Sequence, residues 1–233
     1  MELIVENLSK SYKDKMVVEN ISLSLKTGVY GLLGANGAGK TTLMRMLCGI
    51  LKADNGSVKF DGISVALEEY RDILGYLPQN FGYYPEFTGM EFLLYMASLK
   101  GLDKVRAKKK TAELMELVGL SEKGKKKIKT YSGGMKQRLG IAQALLNDPK
   151  VIILDEPTVG LDPRERVRFR NIIAELGKEN IVLLSTHIVS DIEHIADVVL
   201  MMKDGRLIYQ GKWTEENGDL EEFYLEQFGE GTL

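Results

Sequence analysis

Residues Val29–Leu47 read VYGLLGANGAGKTTLMRML, and the order of textures in this stretch decides what the surrounding chain must be. Val29 to Leu33 has strand character, a glycine-rich turn follows, and a helix-forming run begins at Lys40. Gly34, Gly39, Lys40 and Thr41 stand at the spacing G-x-x-x-x-G-K-T, which carries weight where a strand precedes it and a helix follows. Glycines let consecutive backbone N–H groups turn inward around a phosphate, and the new helix points its positive end at the same place. Lys40 adds a mobile charge for the β- and γ-phosphates, and Thr41 offers a hydroxyl to Mg2+. The stretch predicts a nucleotide site.

Such a site needs an acid at the end of a neighbouring buried strand, and Val151–Asp162, VIILDEPTVGLD, provides one. Four apolar residues read as a core strand, and Asp155 and Glu156 follow at its end. Two adjacent acids repel each other and lose hydration, so a solvated strand end is the bland alternative. Downstream of a phosphate loop the arrangement has a purpose. Asp155 serves the metal, through a coordinated water, and Glu156 deprotonates the water that attacks the γ-phosphate.

The 233 residues are 44% hydrophobic and 27% charged, ordinary for a globular protein and enough for one large domain or a core with a smaller appendage. A formal net charge of −2 exerts no general pull on nucleic acid. The single cysteine, Cys48 in LMRMLCGIL, reads as a buried apolar thiol and fits a reducing compartment. No apolar run approaches the ~20 residues of a membrane-spanning helix, and the N-terminus lacks the long apolar stretch of a secretory signal. The expected location is cytoplasmic.

Strand-like runs recur at Leu3–Val5, Ile21–Leu25, Tyr30–Leu33, Val58–Phe60, Leu74–Leu77, Val151–Leu154, Ile181–Ser185, Val198–Met202 and Leu207–Tyr209. Helical patterns between several of them predict an α/β fold on a mostly parallel sheet with some antiparallel β elements. Between Thr88 and Leu146 the pattern is helical only. TGMEFLLYMASLKG predicts a helix capped by Thr88, stopped at Gly101 and buried through Phe92, Tyr95, Met96 and Leu99. The next helix is basic at its start and striped by Leu114, Leu117 and Val118; with no interleaved aromatics, its lysines read as a solvated or anionic-lipid-facing surface rather than a nucleic-acid footprint. The expected division is an α/β core of residues 1–87 and 147–213, a helical subdomain of residues 88–146, and an acidic tail of residues 214–233.

No N-K-x-D segment reads guanine, and the central insertion is lysine-rich rather than the arginine-rich lid of a nucleoside kinase. The decisive stretch is TYSGGMKQRLGIAQALLNDPKVIILDEPTVGLD, Thr130–Asp162. Here the chain resembles the nucleotide-binding subunits of ABC transporters, over nearly its full length and with the landmarks in the family's order. The resemblance implies the P-loop NTPase core of an ABC-type ATPase. It makes GANGAGKT the Walker A loop, Gln79 the Q-loop residue, Tyr131–Met135 the signature, VIILDE the Walker B segment, VGLD the D-loop and His187 the switch histidine. The implied ATP contacts are Tyr12, which stacks on adenine, and Gly34, Asn36, Gly37, Ala38, Gly39, Lys40, Thr41 and Thr42. The implied catalytic residues are Glu156, His187 and Gln79, and the Mg2+ set is Thr41, Gln79 and Asp155.

Ser132, Gly133 and Gly134 open a further helix, with Ser132 as N-cap and two glycines leaving backbone donors bare. One phosphate loop and a second anion cradle suggest two chains facing head to tail, each ATP lying between the loop of one subunit and the SGG of the other. The partners implied are therefore a second ATPase subunit, identical or different, and a separate transmembrane permease, with the chain peripheral on the cytoplasmic face of the membrane and no nucleic acid involved. By the same resemblance the segment after Gln79, with Phe81, Tyr83, Tyr84 and Phe87, receives a permease helix; packing of the subdomain against the core is the other use of those aromatics. The YSGGMKQR signature and the FGYYPEFTG segment look like bacterial exporters. The rival reading is a soluble ABC-type ATPase working on nucleic acid or ribosomes, which would bring a second cassette or a long coiled coil between Walker A and the signature. The chain departs from the family pattern in two places: the signature, with Tyr131 for Leu and Met135 for Gln, and the D-loop, which reads VGLD from Val159 where SALD is common. His194 reads as an ordinary helix residue and not as a metal partner of His187.

Overall fold

The computed structural model describes residues 1–214 and 217–229. The chain runs β1 (Glu2–Tyr12), β2 (Lys15–Lys26), β3 (Gly28–Leu33), α1 (Lys40–Leu47), β4 (Asn55–Phe60), β5 (Ile63–Ser64), α2 (Glu68–Asp72), β6 (Leu74–Leu77), α3 (Gly89–Leu99), α4 (Lys104–Leu117), α5 (Gly133–Ala144), β7 (Val151–Asp155), α6 (Pro163–Gly177), β8 (Ile181–Thr186), β9 (Val198–Lys203), β10 (Arg206–Gly211) and α7 (Leu220–Phe228). A six-stranded sheet has the order β10-β9-β3-β8-β7-β6, parallel except where β10 turns back on β9; a second sheet, β2-β1-β4-β5, is antiparallel.

The central strands β3, β7 and β8 are buried at every residue, as expected of parallel strands covered on both faces. Their period of two splits the interior. Val29, Leu33, Ile152, Leu154, Val182 and Leu184 face a core shared with the helices α3–α5. Tyr30, Leu32, Val151, Ile153, Ile181 and Leu183 face a core shared with α1 and the antiparallel sheet. Each such side chain contributes about 1.5–3 kcal/mol relative to exposure, so the sheet is rigid where its C-terminal ends present the phosphate loop and the two acids.

The antiparallel strands are longer than their apolar runs suggested because their outer face is wet: β1 alternates buried and exposed residues and carries bulges. The two-residue β5 left no readable run.

Thr88 caps α3 in a reciprocal capping box with Glu91, and Gly101 ends it at φ 77°. The buried face differs from the expected one. Phe92, Leu93 and Ala97 go inward, while Tyr95 and Leu99 are 38% and 64% exposed. In α4, likewise, Met115 is buried and Leu117 is exposed. His194 lies on an exposed turn rather than in a helix. Among the described residues no helix is long and apolar enough to cross a membrane. Of the acidic tail, residues 215–216 and 230–233 lie outside the described residues; within it α7 is capped by Asp219 and anchored by the buried Leu220.

Candidate nucleotide site

The loop leaving β3 closes tightly before α1. Ala38 N–H donates to the Ala35 carbonyl at 3.2 Å. Gly39 has φ 106°, and a Cβ there would stand 2.4 Å from the Val17 carbonyl oxygen, so both conformation and space demand glycine. Helix α1 has no side-chain cap and no acid in its first turn. Its leading N–H groups are therefore left for an anion, which the helix dipole also favours.

A cleft of ≈ 180 Å³ opens over this turn, lined by Val17, Ala35, Asn36, Gly37, Gly39, Lys40, Thr41, Thr42, Gln79 and Glu156. Gly34 and Ala38 are buried beneath it. A larger groove, ≈ 680 Å³ between Glu19–Ser22 and Arg206–Gln210, holds the Glu19–Arg206 ion pair and no phosphate-binding element. Lys40 is 6% exposed. Its Nζ donates to the carbonyls of Gly34 and Ala35 at 2.5 and 3.2 Å and stands 3.6 Å from Glu156 Oε1. Burial lowers the Lys40 pKa, and the charges of Glu156 and Asp155 oppose that shift.

Glu156 is 5% exposed and sits in the left-handed region at φ 51°. Its Oε2 meets His187 Nδ1 at 2.9 Å. The adjacent acid is held apart from it by Ser185. The Ser185 hydroxyl donates to Asp155 Oδ1 at 2.6 Å and accepts the Glu156 N–H at 2.9 Å. Asp155 Oδ2 is left buried with no hydrogen-bond partner, an arrangement that costs free energy unless a cation or donor arrives. That orphan fits Mg2+, which takes one or two carboxylates and fills its shell with phosphate and water. Among the described residues there is no cluster of three acids, histidines or cysteines for a metal held by protein alone. Thr41 and Gln79 line the cleft, whereas Asp155 is fully buried behind it beside the lining Glu156.

The structure thus brings Lys40, Thr41, Thr42, Asn36, Gln79 and Glu156 to one cleft, with Asp155 bound to the Ser185 that holds Glu156 and His187 bound to Glu156. Two sets stand elsewhere. Tyr12, at the end of β1, is 46% exposed, with Lys10 Nζ 5.9 Å from its ring centre, and does not line the cleft. Ser132 caps α5 through Met135 N–H at 3.1 Å, and Ser132 and Gly133 are exposed outside the cleft. Gly134, expected to bare a donor, is buried, and a Cβ on it would lie 1.9 Å from Glu165 Oε2. Ser185 and Val17 were not singled out in the sequence. A lone serine closing the buried run IVLLS was the available signal for Ser185; Val17 carried none.

The ABC transporter family model matches residues 18–159. The uncharacterized ABC transporter ATP-binding protein YxlF of Bacillus subtilis (strain 168) is 44% identical over 214 residues, 91% of this chain and 72% of that protein. The linearmycin resistance ATP-binding protein LnrL of the same organism is 38% identical over 217 residues, 91% of this chain and 70% of that protein. The bacterial ABC transporter cassette MJ0796, solved as a dimer and as a dimeric post-hydrolysis state with ADP and Pi, superposes with a TM-score of 0.83 at 24% identity, over 90% of this chain and 98% of that one. The shared fold is the α/β ABC ATPase core with an inserted helical part.

Proposed function

We propose, for a chain that belongs to the ABC transporter family as one of its ATP-binding subunits, that two such subunits close head to tail around MgATP and so drive a separate membrane permease. One observation carries the reading. The cleft is smaller than the ~300–1,000 Å³ of a complete small-molecule site, while a second set of bare helix-start donors, at Ser132 and Gly133, is exposed elsewhere on the surface. A triphosphate seated on the loop is half enclosed, and a partner's Ser132, Gly133 and Gly134 segment supplies the other half. The dimeric MJ0796 cassette supports that assembly. The resistance function in the name of LnrL supports export. On this reading residues 1–87 and 147–213 form the catalytic body and residues 88–146 the signature-bearing one.

Lys40 and the amides of α1 hold the β- and γ-phosphates, and Tyr12, outside the cleft, stacks on the base that projects from it. Thr41, Asp155 and Gln79 hold Mg2+, which when bound offsets the charge that builds on the phosphates. Glu156 takes the proton of the attacking water as the oxygen–phosphorus bond to the γ-phosphate breaks. Without nucleotide, Lys40 is spent on two carbonyls and on Glu156. A phosphate that draws Lys40 away frees the carboxylate to act as base, and His187 keeps it aimed. Closure then depends on triphosphate, and charged products open the pair. The test is steady-state hydrolysis beside nucleotide binding: Glu156→Gln keeps ATP affinity and loses turnover. Wild-type turnover in that variant would falsify the role of Glu156.

A further inference from the structure

The loops that carry Glu156 and His187 are tied by a polar triangle away from the cleft, in which Asp191 and Thr158 are buried and Arg166 is partly exposed. Asp191 closes a 3-10 turn, Val189–Asp191, four positions after His187. Its side chain is 3% exposed. Oδ2 accepts from the Thr158 hydroxyl at 2.5 Å, and Oδ1 accepts from Arg166 Nη1 at 3.0 Å. Thr158 is fully buried and lies two residues after Glu156. Arg166, on α6, also donates from Nε to the Leu161 carbonyl at 3.3 Å, within the VGLD loop. One carboxylate therefore joins the segment after Glu156, the turn after His187 and, through Arg166, the VGLD loop.

Glu156 explains why such a tie is needed. Its backbone is left-handed at φ 51°, a conformation that persists in a non-glycine residue only where the surroundings over-determine it. On its N-terminal side the Ser185 hydroxyl holds the Glu156 N–H. On its C-terminal side Thr158 is held by Asp191. Both anchors come from the segment that carries His187, so the strained residue and its imidazole partner share one frame. A well-packed apolar trio would hold the fold as well as a buried charge does; it would not fix direction.

We infer that Asp191, acting through Thr158 and Arg166, is a positioning residue that sets the Glu156–His187 geometry for hydrolysis. The inference rests on Glu156 being the base. Misplacing a catalytic group by about 1 Å lowers rate on the order of 10²-fold, so the effect belongs in kcat and not in nucleotide affinity.

The experiment measures kcat, KM for MgATP and melting temperature for Asp191→Asn, Thr158→Val, Thr158→Ser and the double variant Asp191→Asn/Thr158→Val, with Glu156→Gln alongside. The expected result is kcat lowered about ten- to hundredfold in Asp191→Asn and Thr158→Val with KM nearly unchanged. Thr158→Ser, which keeps the hydroxyl, restores most of the rate, and the double variant is no slower than the worse single one, as for groups acting as a unit. Wild-type kcat in Asp191→Asn while Glu156→Gln is inactive overturns the inference and leaves the base in place; an active Glu156→Gln overturns the base itself. If Asp191→Asn does not fold, the Thr158 pair decides. Equal rates in Thr158→Val and Thr158→Ser, or a lost rate matched by lost affinity, make the triangle merely structural.

Discussion

A Cβ built on Gly134 would lie 1.9 Å from Glu165 Oε2, whereas one on Gly133 would meet nothing closer than 3.9 Å. The two glycines at the start of α5 therefore differ in duty. Glu165 also closes the capping box of α6 with Asp162 and pairs with Arg138 at 3.0 Å. Arg138 in turn donates to the Val118 and Gly119 carbonyls near the end of α4. Gly134 is small so that α6 can lock against the helical subdomain.

Gly134→Ala should cost about 1–3 kcal/mol, the usual penalty of overpacking, read as a lowered melting temperature. Gly133→Ala should melt like the parent and lose ATP-dependent pairing instead. Equal melting temperatures for the two variants would contradict the packing role of Gly134.

Tyr12 is exposed at the end of β1, with Lys10 beside its ring, and does not line the cleft that holds Lys40 and Glu156. Tyr12→Ala should raise KM for ATP about 5- to 150-fold and leave the rate at saturating nucleotide unchanged, since base stacking contributes on the order of 1–3 kcal/mol to binding. A rate defect at saturation with normal affinity would place Tyr12 in the chemistry.

Glu86 accepts from Lys127 at 2.8 Å and from Lys129 at 3.0 Å, clasping the loop before α3 to the segment before the signature. The Lys127 and Lys129 hydrogen bonds hold its pKa at about 2, below the ordinary 4.5. A carboxyl depressed in the folded state takes up its proton first in the unfolded chain. The stability it gives is present above 4.5, declines as pH falls below that value, and is gone once pH passes about 2. The melting difference between the parent and Glu86→Gln should follow that course, and should shrink in high salt because the clasp is exposed. A difference independent of both pH and salt would assign it to something other than charge.

Trp213, the chain's one tryptophan, packs against Tyr209 and Phe223 at centroid distances of 5.6 and 5.2 Å. Phe223→Ala should loosen α7, shift tryptophan emission to the red and leave the main melting transition within a few degrees. Collapse of that transition would mean α7 is part of the global fold and not a docked appendage. Tyr224 on the same helix has its pKa raised by burial first and by the Glu156 charge second.

The fold was legible where burial is complete. Continuous apolar runs in β3, β7 and β8 can only be interior strands, and the glycine loop between β3 and α1 announced its own geometry. The face of α3 was not legible, because Phe92 to Ala97 is apolar on nearly every side and packing against α4 and α5 chooses the phase. The two acids were readable as a pair. The Ser185 hydroxyl that separates them, and the Asp191 carboxylate that frames Glu156, join positions about thirty residues apart, and hydrophobic periodicity carries no trace of such bonds.

Light scattering of the purified Glu156→Gln subunit, with and without MgATP, tests the shared nucleotide seam most directly, alone and with any second ATPase subunit encoded beside it. The mass should double when MgATP is added and return to that of the monomer with ADP. The same variant should stay monomeric once Ser132 or Lys40 is also replaced. A mass that remains monomeric with MgATP in every combination would contradict the seam.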